Sequence, residues 1–434
     1  MSKLRSRRLR GGDAVPSSQR PPLAVRQIPT FAFLLFAAME FSQVDPYAAL
    51  WTTPAILLAA MLIAWAAESA QFFIAQGFAL AILAWLQTLP EFAVEAVLAW
   101  KQQVPLLLAG LTGALRLLTG LGWPMIYATA AFFHRRRSGK PLGAIVLEPA
   151  HSVEVIGLMV PLIYMMVVYF KQSLGLIDAA VLIVIYIAYL LVLSRMPSED
   201  EEGIDDLELI PRTIVKASPP IRTAAIIGLF VGGGLLIYFT AEPFLGSLLA
   251  VATVLGIPTF VFIQWVAPFV SEFPEKVSAF YWARTVDRAH MALMNMVSSN
   301  INQWTLLTAM LPIVYSFSKG APSAIPFDPQ QQLELLMTLG QSMVAMFFLL
   351  NLTLAWWEAA ALFLLWFVQF LFSPIPPGPT GLGWISTHIH QWITWLYLVW
   401  AAVEFIRMLT GRRKPAALVA FAHVWRTNVM RNPA

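Results

Sequence analysis

Two glutamates stand out as possible cation ligands, because each follows a proline inside a long apolar stretch. Pro90-Glu91 interrupts residues 86–96, and Pro274-Glu275 interrupts residues 270–279. A proline frees carbonyl groups in the preceding helical turn, and in hydrocarbon those carbonyls need another partner. An ionised Glu there costs several kcal/mol unless it is paired, hydrated or metal-bound. Each pair therefore indicates either a cation site or a kink with a protonated or Arg-paired structural Glu.

The composition places these residues in a membrane. Hydrophobic residues make up 59% of the 434 positions and charged residues only 12%, whereas a soluble domain has about 25% charged residues. Apolar runs near the length that crosses hydrocarbon recur throughout, and nothing resembles the alternation of barrel strands. We predict an all-α, polytopic transmembrane bundle of about ten to twelve helices. The chain has no Cys, which excludes disulfides, thiolate nucleophiles and Cys-ligated metals.

The apolar runs predict where the spans lie, with residues 123–133 either extending the fourth span or lying in the interface. The predicted spans are 28–44, 50–69, 74–100, 104–122, 151–170, 174–194, 222–241, 244–282 (a short helix plus a span), 290–317, 333–352, 354–373 and 386–409.

The Lys and Arg residues predict the orientation, since cytoplasmic loops carry an excess of them. With the N-terminus inside, 23 of the 28 lie in cytoplasmic segments, and only Lys101, Lys171 and Lys319 lie outside. Arg116 and Lys276 remain within spans. We therefore expect an integral membrane protein of a bacterial inner membrane with both termini in the cytoplasm. Its basic residues are dispersed among loops, which argues against nucleic acid as a partner.

The segments around Glu91 and Glu275 match each other on either side of an acidic run at residues 198–208. Helices flank both in the same order, and the predicted orientation makes them run in opposite directions. This is an inverted repeat of the kind that builds transporters around a midplane site. The acidic run is either a flexible connector or a weak divalent-cation sensor.

These motifs resemble the cation/Ca²⁺ antiporter superfamily, which includes the sodium/calcium exchangers. That superfamily has a Gly-Thr-Ser-Leu-Pro-Glu-like stretch in each half, followed by Gly-Asn-x-x-Gly-Ser-Asn-Ile. The second half carries Phe273-Pro-Glu275 and then Asn295-Met-Val-Ser-Ser-Asn-Ile301. The first half keeps Thr88-Leu-Pro-Glu91 and Gly110-Leu-Thr-Gly113.

The resemblance implies two five-helix halves around a site that opens alternately to each side. Hard oxygen ligands of this kind suit Ca²⁺ or Na⁺, and no resident cofactor is implied. The expected cation ligands are Glu91, Glu275, Glu272, Thr88, Ser271, Ser298, Ser299, Asn300 and Asn302.

The chain departs from that pattern in its charges. Arg116 lies in an apolar span where the superfamily has no cation, and Glu272 replaces a Ser. We expect Arg116 to pair with Glu272 or Glu91 and to occupy part of the site, or else to extend towards a helix end. Lys276 is expected to neutralise a neighbour, and Glu95 either extends the cation path or meets water.

Two acidic groups outside the repeat motifs have alternative interpretations. Glu148, His151 and Glu154 either cap a helix or bind a transition metal or relay protons. Glu358 lies in an apolar helix and either bonds to a neighbouring helix or has a function.

The predicted organisation has six parts. They are a basic tail (1–27), an extra helix (28–49), a first repeat (50–194), an acidic linker (195–221), a second repeat (222–373), and a C-terminal helix with a basic tail (374–434).

The leading hypothesis for function is a secondary antiporter that exchanges Ca²⁺ or Na⁺ against Na⁺ or H⁺. Its partners are small inorganic cations and the lipid bilayer, and the sequence is silent on oligomeric state. The alternatives are a degenerate, non-transporting relative that acts as a sensor or scaffold, and an intramembrane metal enzyme. Against an enzyme stand the missing Asp-Asp, Ser-His and His-Glu-x-x-His patterns.

Overall fold

The computed structural model describes residues 45–73, 85–86, 88–196, 204 and 207–430. The predicted span 28–44 and the first part of the span 74–100 lie outside these residues. Seven of the described helices are long and apolar enough to cross a membrane, and two further apolar helices are shorter. The predicted all-α transmembrane fold is confirmed.

The helices of the first half are followed by a short amphipathic helix in the linker. In chain order they are α1 (Ala49–Ala70), α2 (Leu89–Trp100), α3 (Val104–Leu117), α4 (Trp123–Ser138), α5 (Ser152–Lys171), α6 (Leu176–Leu193) and the linker helix α7 (Leu209–Lys216).

The helices of the second half are followed by two more helices at the C-terminus. They are α8 (Pro219–Leu255), α9 (Thr259–Ser271), α10 (Phe273–Thr285), α11 (Ala289–Asn302), α12 (Thr308–Lys319), α13 (Pro329–Leu349), α14 (Trp356–Phe372), and then α15 (Gly381–Leu409) and α16 (Ala416–Val424).

The two halves repeat even in their irregular features. A single π-turn, Leu118–Gly122, joins α3 to α4, and a second one, Gln303–Leu307, joins α11 to α12. Residues 123–133 therefore extend the fourth span. The helix α6 packs on the second π-turn, and its counterpart α14 packs on the first. Because each half crosses the bundle an odd number of times, the halves run in opposite directions.

Two short antiparallel ribbons join the halves at their loops. The strand β1 (Ala144–Val146) pairs with β4 (Thr353–Ala355), and β2 (Ser173–Leu174) pairs with β3 (Ile325–Pro326). The strands β1 and β3 precede equivalent helices, as do β2 and β4. Each ribbon thus corresponds to the other under the repeat, and the two lie at opposite ends of α5.

Helix caps explain the acidic groups outside the repeat motifs. The Glu148 backbone N–H donates to His151 Nδ1 at 3.1 Å, and at the equivalent place Asp328 N–H donates to Gln331 Oε1 at 2.9 Å. The Ala355 N–H likewise donates to Glu358 Oε2 at 2.9 Å. These contacts satisfy donors that every helix start leaves open. Glu148 and His151 therefore start a helix, as the capping interpretation predicted.

The predicted boundary between the spans 222–241 and 244–282 is wrong. The helix α8 continues through Pro243 as far as Leu255 and ends at Gly256, which has a left-handed φ of +66°. Proline in a membrane helix is tolerated where neighbouring helices compensate, whereas the left-handed conformation at glycine ends a helix readily. The break inside the next span falls at Glu272.

A buried polar network joins four helices and contains Arg116. Its guanidinium Nη2 lies 2.7 Å from Glu334 Oε2, and both side chains are at most 1% exposed. Gln264 Nε2 donates to the same oxygen at 2.9 Å, while His390 Nδ1 lies 2.5 Å from Oε1. The Arg116 guanidinium also stacks over Trp265, 5.1 Å from its centroid. The network ties α3, α9, α13 and α15 together.

The prediction that Arg116 pairs with Glu91 or Glu272 is therefore wrong, as is its extension towards a helix end. A closer carboxylate, Glu334, satisfies the guanidinium inside the protein. The Arg116 charge is therefore paired with Glu334 and not with a carboxylate of the two Pro-Glu segments.

We expect Arg116→Met to lower the free energy of unfolding by about 3–5 kcal/mol, because it leaves the Glu334 carboxylate buried without its guanidinium partner. Reversible unfolding in mixed detergent micelles measures this change. The double variant Arg116→Met/Glu334→Gln should lose less than the sum of the two single variants, since it removes both charges.

Arg407→Met is the matched control, because Arg407 pairs with Glu404 at 2.8 Å but is 47% exposed. Its loss should be about 0–1 kcal/mol, because the Arg407 side chain is largely exposed and Glu404 keeps Arg413 as a second partner at 2.6 Å. Equal losses for Arg116→Met and Arg407→Met would show that the buried network contributes nothing special to stability.

Candidate functional site

Both Pro-Glu segments begin helices in the middle of the bundle. The helix α2 starts after Thr88 with Pro90 in its first turn, and α10 starts after Glu272 with Pro274 in its first turn. Proline suits this position because its missing N–H is not needed there. Glu91 and Glu275 thus lie in first turns, where the free N–H groups and the helix dipole favour negative charge.

Gln303 bridges the two halves of this site. Its amide Nε2 donates to Glu91 Oε2 at 2.8 Å and to Glu272 Oε1 at 2.9 Å. All three side chains are buried. Gln303 is the first residue of the π-turn after α11 and lies one turn beyond Ser299, so its amide shares the helix face of the predicted ligands.

Glu275 completes a group of buried carboxylates. It interacts electrostatically with Glu272 and Glu91 and lies beside Ser299. Among the described residues, no donor is in bonding geometry with either Glu275 oxygen. Its side chain is 1% exposed, so the ionised form needs a positive charge nearby, and Lys276 is one such charge that acts on it.

Several other buried oxygens of the site have no hydrogen-bond donor within the part of the chain that the structure describes. They are acceptors of carboxylate and amide type, the ligands that Ca²⁺ prefers. These atoms are Glu91 Oε1, Asn300 Oδ1, Asn302 Oδ1 and Gln303 Oε1.

Asn300 and Asn302, two of the remaining predicted ligands, form hydrogen bonds through their amide nitrogens. Asn302 Nδ2 donates to Thr88 Oγ1 at 2.5 Å, which joins α11 to the break before α2. Asn300 Nδ2 donates to the Met296 carbonyl within its own helix. These contacts use the amide nitrogens and leave the amide oxygens available.

The two remaining serines are engaged by other groups. Ser271 Oγ donates to the Ala267 carbonyl at 3.0 Å and can still accept a bond. Ser298 shares a 3.1 Å hydrogen bond with Tyr189 of α6. The structure thus directs Ser298 towards α6.

Glu95 lies one turn beyond Glu91 and depends on a glycine of α3. A Cβ atom at Gly110 would lie 2.0 Å from Glu95 Oε1. One turn later, a Cβ at Gly113 would lie 1.8 Å from the Gln264 carbonyl. Both glycines are therefore required for close approach, which explains the Gly110-Leu-Thr-Gly113 pattern. Glu95 is 2% exposed, so it does not meet water in this structure.

Lys276 neutralises a neighbour, as predicted, and that neighbour is Glu272. The Lys276 Nζ lies 2.6 Å from Glu272 Oε2, and both side chains are buried. Glu272 therefore accepts from Lys276 through one oxygen and from Gln303 through the other. Arg116 is engaged by Glu334 instead.

Nitrogen donors from Gln303 and Lys276 contact the carboxylates of the site. Among the described residues, no three Asp, Glu or His side chains are close enough together to hold a metal ion. The Gln303 amide and the Lys276 ammonium lie between carboxylates instead. Cation binding would require a cation to replace at least one of these donors.

Sequence reasoning missed Gln303. It lies four residues after the predicted ligand Ser299, and residues at this spacing share one face of a helix. That spacing is the signal that could have found Gln303, but the residue lies outside the motif Asn295–Ile301.

Comparisons with known proteins identify the family and the fold. The profile of the sodium/calcium exchanger protein family matches residues 47–195 and 225–374. No curated protein sequence matches the chain.

Among solved structures, the crystal structure of the H⁺/Ca²⁺ exchanger CAX is 30% identical, with a TM-score of 0.78, and the match covers 94% of this chain and 98% of that one. The structure of native YfkE is 14% identical, with a TM-score of 0.54 and coverages of 82% and 99%. A structure of the sodium-calcium exchanger NCX_Mj is 16% identical, with a TM-score of 0.52 and coverages of 75% and 98%.

The last two similarities establish the fold. The family profile covers both repeats, and the family consists of transporters rather than enzymes. The chain therefore belongs to the sodium/calcium exchanger family of membrane cation antiporters.

Proposed function

We propose that this protein exchanges Ca²⁺ against H⁺ by alternating access at Glu91 and Glu275. The observation that carries the proposal is the group of buried carboxylates at the helix breaks before α2 and α10. Groups this deep in a bilayer are costly to keep without a function.

The ligand types favour Ca²⁺ as the transported cation. Carboxylate and amide oxygens without donors occur on α2, α10 and α11 among the described residues, and Ca²⁺ takes six to eight such oxygens in flexible geometry. Thiolate and thioether ligands, which would select soft metals, are not among the residues of this site.

Protons are the simplest ions to exchange against Ca²⁺ at such a site. A carboxylate binds either a cation or a proton, so the two compete for the same oxygens. The solved structure that is 30% identical is entitled an H⁺/Ca²⁺ exchanger. Na⁺ remains the alternative counter-ion, because oxygen ligands accept it as well.

The helix packing suggests which parts move. The helices α1 and α8 pack along each other, with Thr52 and Ser247 sharing a 2.9 Å hydrogen bond. The helix α1 also packs on the broken spans α2, α9 and α10, and α8 packs on α2 and α9. Movement of the α1–α8 pair relative to these spans would open the carboxylates to one side at a time, which is the general scheme for inverted-repeat transporters.

We place the protein in a bacterial inner membrane with both termini in the cytoplasm. The support is the Lys and Arg distribution along the chain. In this orientation the β1–β4 ribbon lies on the cytoplasmic side and the β2–β3 ribbon on the outer side.

Glu91→Gln and Glu275→Gln should each abolish Ca²⁺ uptake into proteoliposomes driven by a pH gradient. Gln keeps the size of the side chain but removes the negative charge and the exchangeable proton. Uptake of radioactive Ca²⁺ measures the effect against protein-free vesicles.

Glu148→Gln is the matched control, because the Glu148 side chain is 60% exposed and lies at a helix start. It should transport at the wild-type rate. If the wild-type protein carries no Ca²⁺ with either an H⁺ or a Na⁺ gradient, the exchanger proposal fails and a non-transporting sensor or scaffold is favoured.

The absence of Cys allows a direct test of orientation. In cells, Ser138→Cys, at the C-terminal end of α4, should react with an impermeant maleimide only after the membrane is permeabilised so that the reagent reaches the cytoplasmic side. Ala321→Cys, in the loop after α12, should react on intact spheroplasts. Both positions are exposed.

The wild-type chain serves as the blank, since it has no thiol to label. The opposite labelling pattern would reverse the proposed orientation, while leaving the exchange proposal untouched.

A further inference from the structure

An acid and a base lie together at only one of the two helix breaks. Glu272 ends the break before α10, and Lys276 lies one turn later, with Nζ 2.6 Å from Glu272 Oε2. The Glu272 and Lys276 side chains are 1% and 6% exposed. The Lys276 ammonium is thus buried among the carboxylates of the site, in contact with Glu272.

The other repeat has no such pair. When Pro90-Glu91 is aligned with Pro274-Glu275, Thr88 corresponds to Glu272 and Phe92 to Lys276. At these two aligned positions the second repeat carries one negative and one positive charge, four residues apart, where the first repeat has uncharged residues. A buried Lys without Glu272 would be costly, and so would a buried Glu272 without Lys276.

We propose that Lys276 is a tethered cation that sets the net charge of the transport site, and so the number of charges exchanged per Ca²⁺. Its ammonium group cancels Glu272, which leaves Glu91 and Glu275 with two negative charges in total. One Ca²⁺ or two protons balances them. This inference rests on the proposed exchange function.

The balance of the exchange follows from this count. When Ca²⁺ enters, Glu91 and Glu275 release one proton each, and no bond of the protein is made or broken besides the O–H bonds. Two positive charges move in each direction, so the cycle carries no net charge. Lys276 cannot leave with the cargo, because it is part of the chain.

Glu95 acts electrostatically on Glu91, but its carboxylate packs against Gly110, and in the proposed cycle it keeps one protonation state. Among the described residues, the Gln303 side-chain amide donates to Glu91 and to Glu272, at 2.8 and 2.9 Å. The amide thus joins the neutralised carboxylate to one that remains charged.

The test measures charge per Ca²⁺ in proteoliposomes whose membrane potential is clamped with K⁺ and valinomycin. Wild-type Ca²⁺/H⁺ exchange should be independent of the potential, with two protons per Ca²⁺. Lys276→Met frees Glu272 as a third carboxylate, so the ratio should rise to three protons per Ca²⁺ and the rate should depend on the potential.

Two further variants keep the inference testable if Lys276→Met folds poorly. Glu272→Gln/Lys276→Met removes both charges and should return to two protons per Ca²⁺. Lys276→Arg keeps the positive charge and should also retain the wild-type ratio. A ratio of two in Lys276→Met, or a changed ratio in the double variant, would overturn the inference.

The outcomes separate the inference from the function beneath it. A wild-type protein without Ca²⁺ exchange refutes the proposed function. A wild-type protein that exchanges Ca²⁺, with variants that leave its charge movement unchanged, refutes only the role of Lys276.

Discussion

The cost of keeping an ionised carboxylate inside hydrocarbon governs the arrangement of this bundle. Each buried Glu whose contacts the structure describes is compensated in its own way. Glu334 accepts from Arg116, Gln264 and His390, whereas Glu272 has a Lys of its own helix. Glu91 and Glu275 have less support, and they are the ones at the first turns of broken spans. The difference in compensation separates carboxylates that stabilise the fold from those that remain available to an ion.

Much of the fold could be predicted from residue types, because a membrane allows few solutions. The apolar runs identified most spans, and the matching Pro-Glu segments identified the inverted repeat. Pro243 was misleading, since α8 passes through it, and Gly256 was the effective break. A proline reports where the helix hydrogen bonding is weakened, but neighbouring helices decide whether the helix ends there.

The site was predictable only in part. Glu91, Glu272, Glu275 and Lys276 lie within a few residues of a recognisable motif, and the structure brings them together. The partner of Arg116 was not predictable, because Glu334 is more than two hundred positions away in the chain and belongs to no motif. Gln303 lies at helical spacing from the predicted ligand Ser299, but it is outside the motif from which the ligands were chosen.

The repeat gives the protein a symmetrical scaffold, but the charges placed on it are not symmetrical. The ribbons, π-turns and helix caps occur in both halves. Arg116 and the Glu272–Lys276 pair each occur in one half. A symmetrical scaffold is enough for access to alternate between the two sides, since either half can close over the site. The number of charges that the site carries depends on individual residues, so it can change without a change of fold. An exchanger built in this way can therefore keep one mechanical cycle while single buried charges determine what each cycle transports.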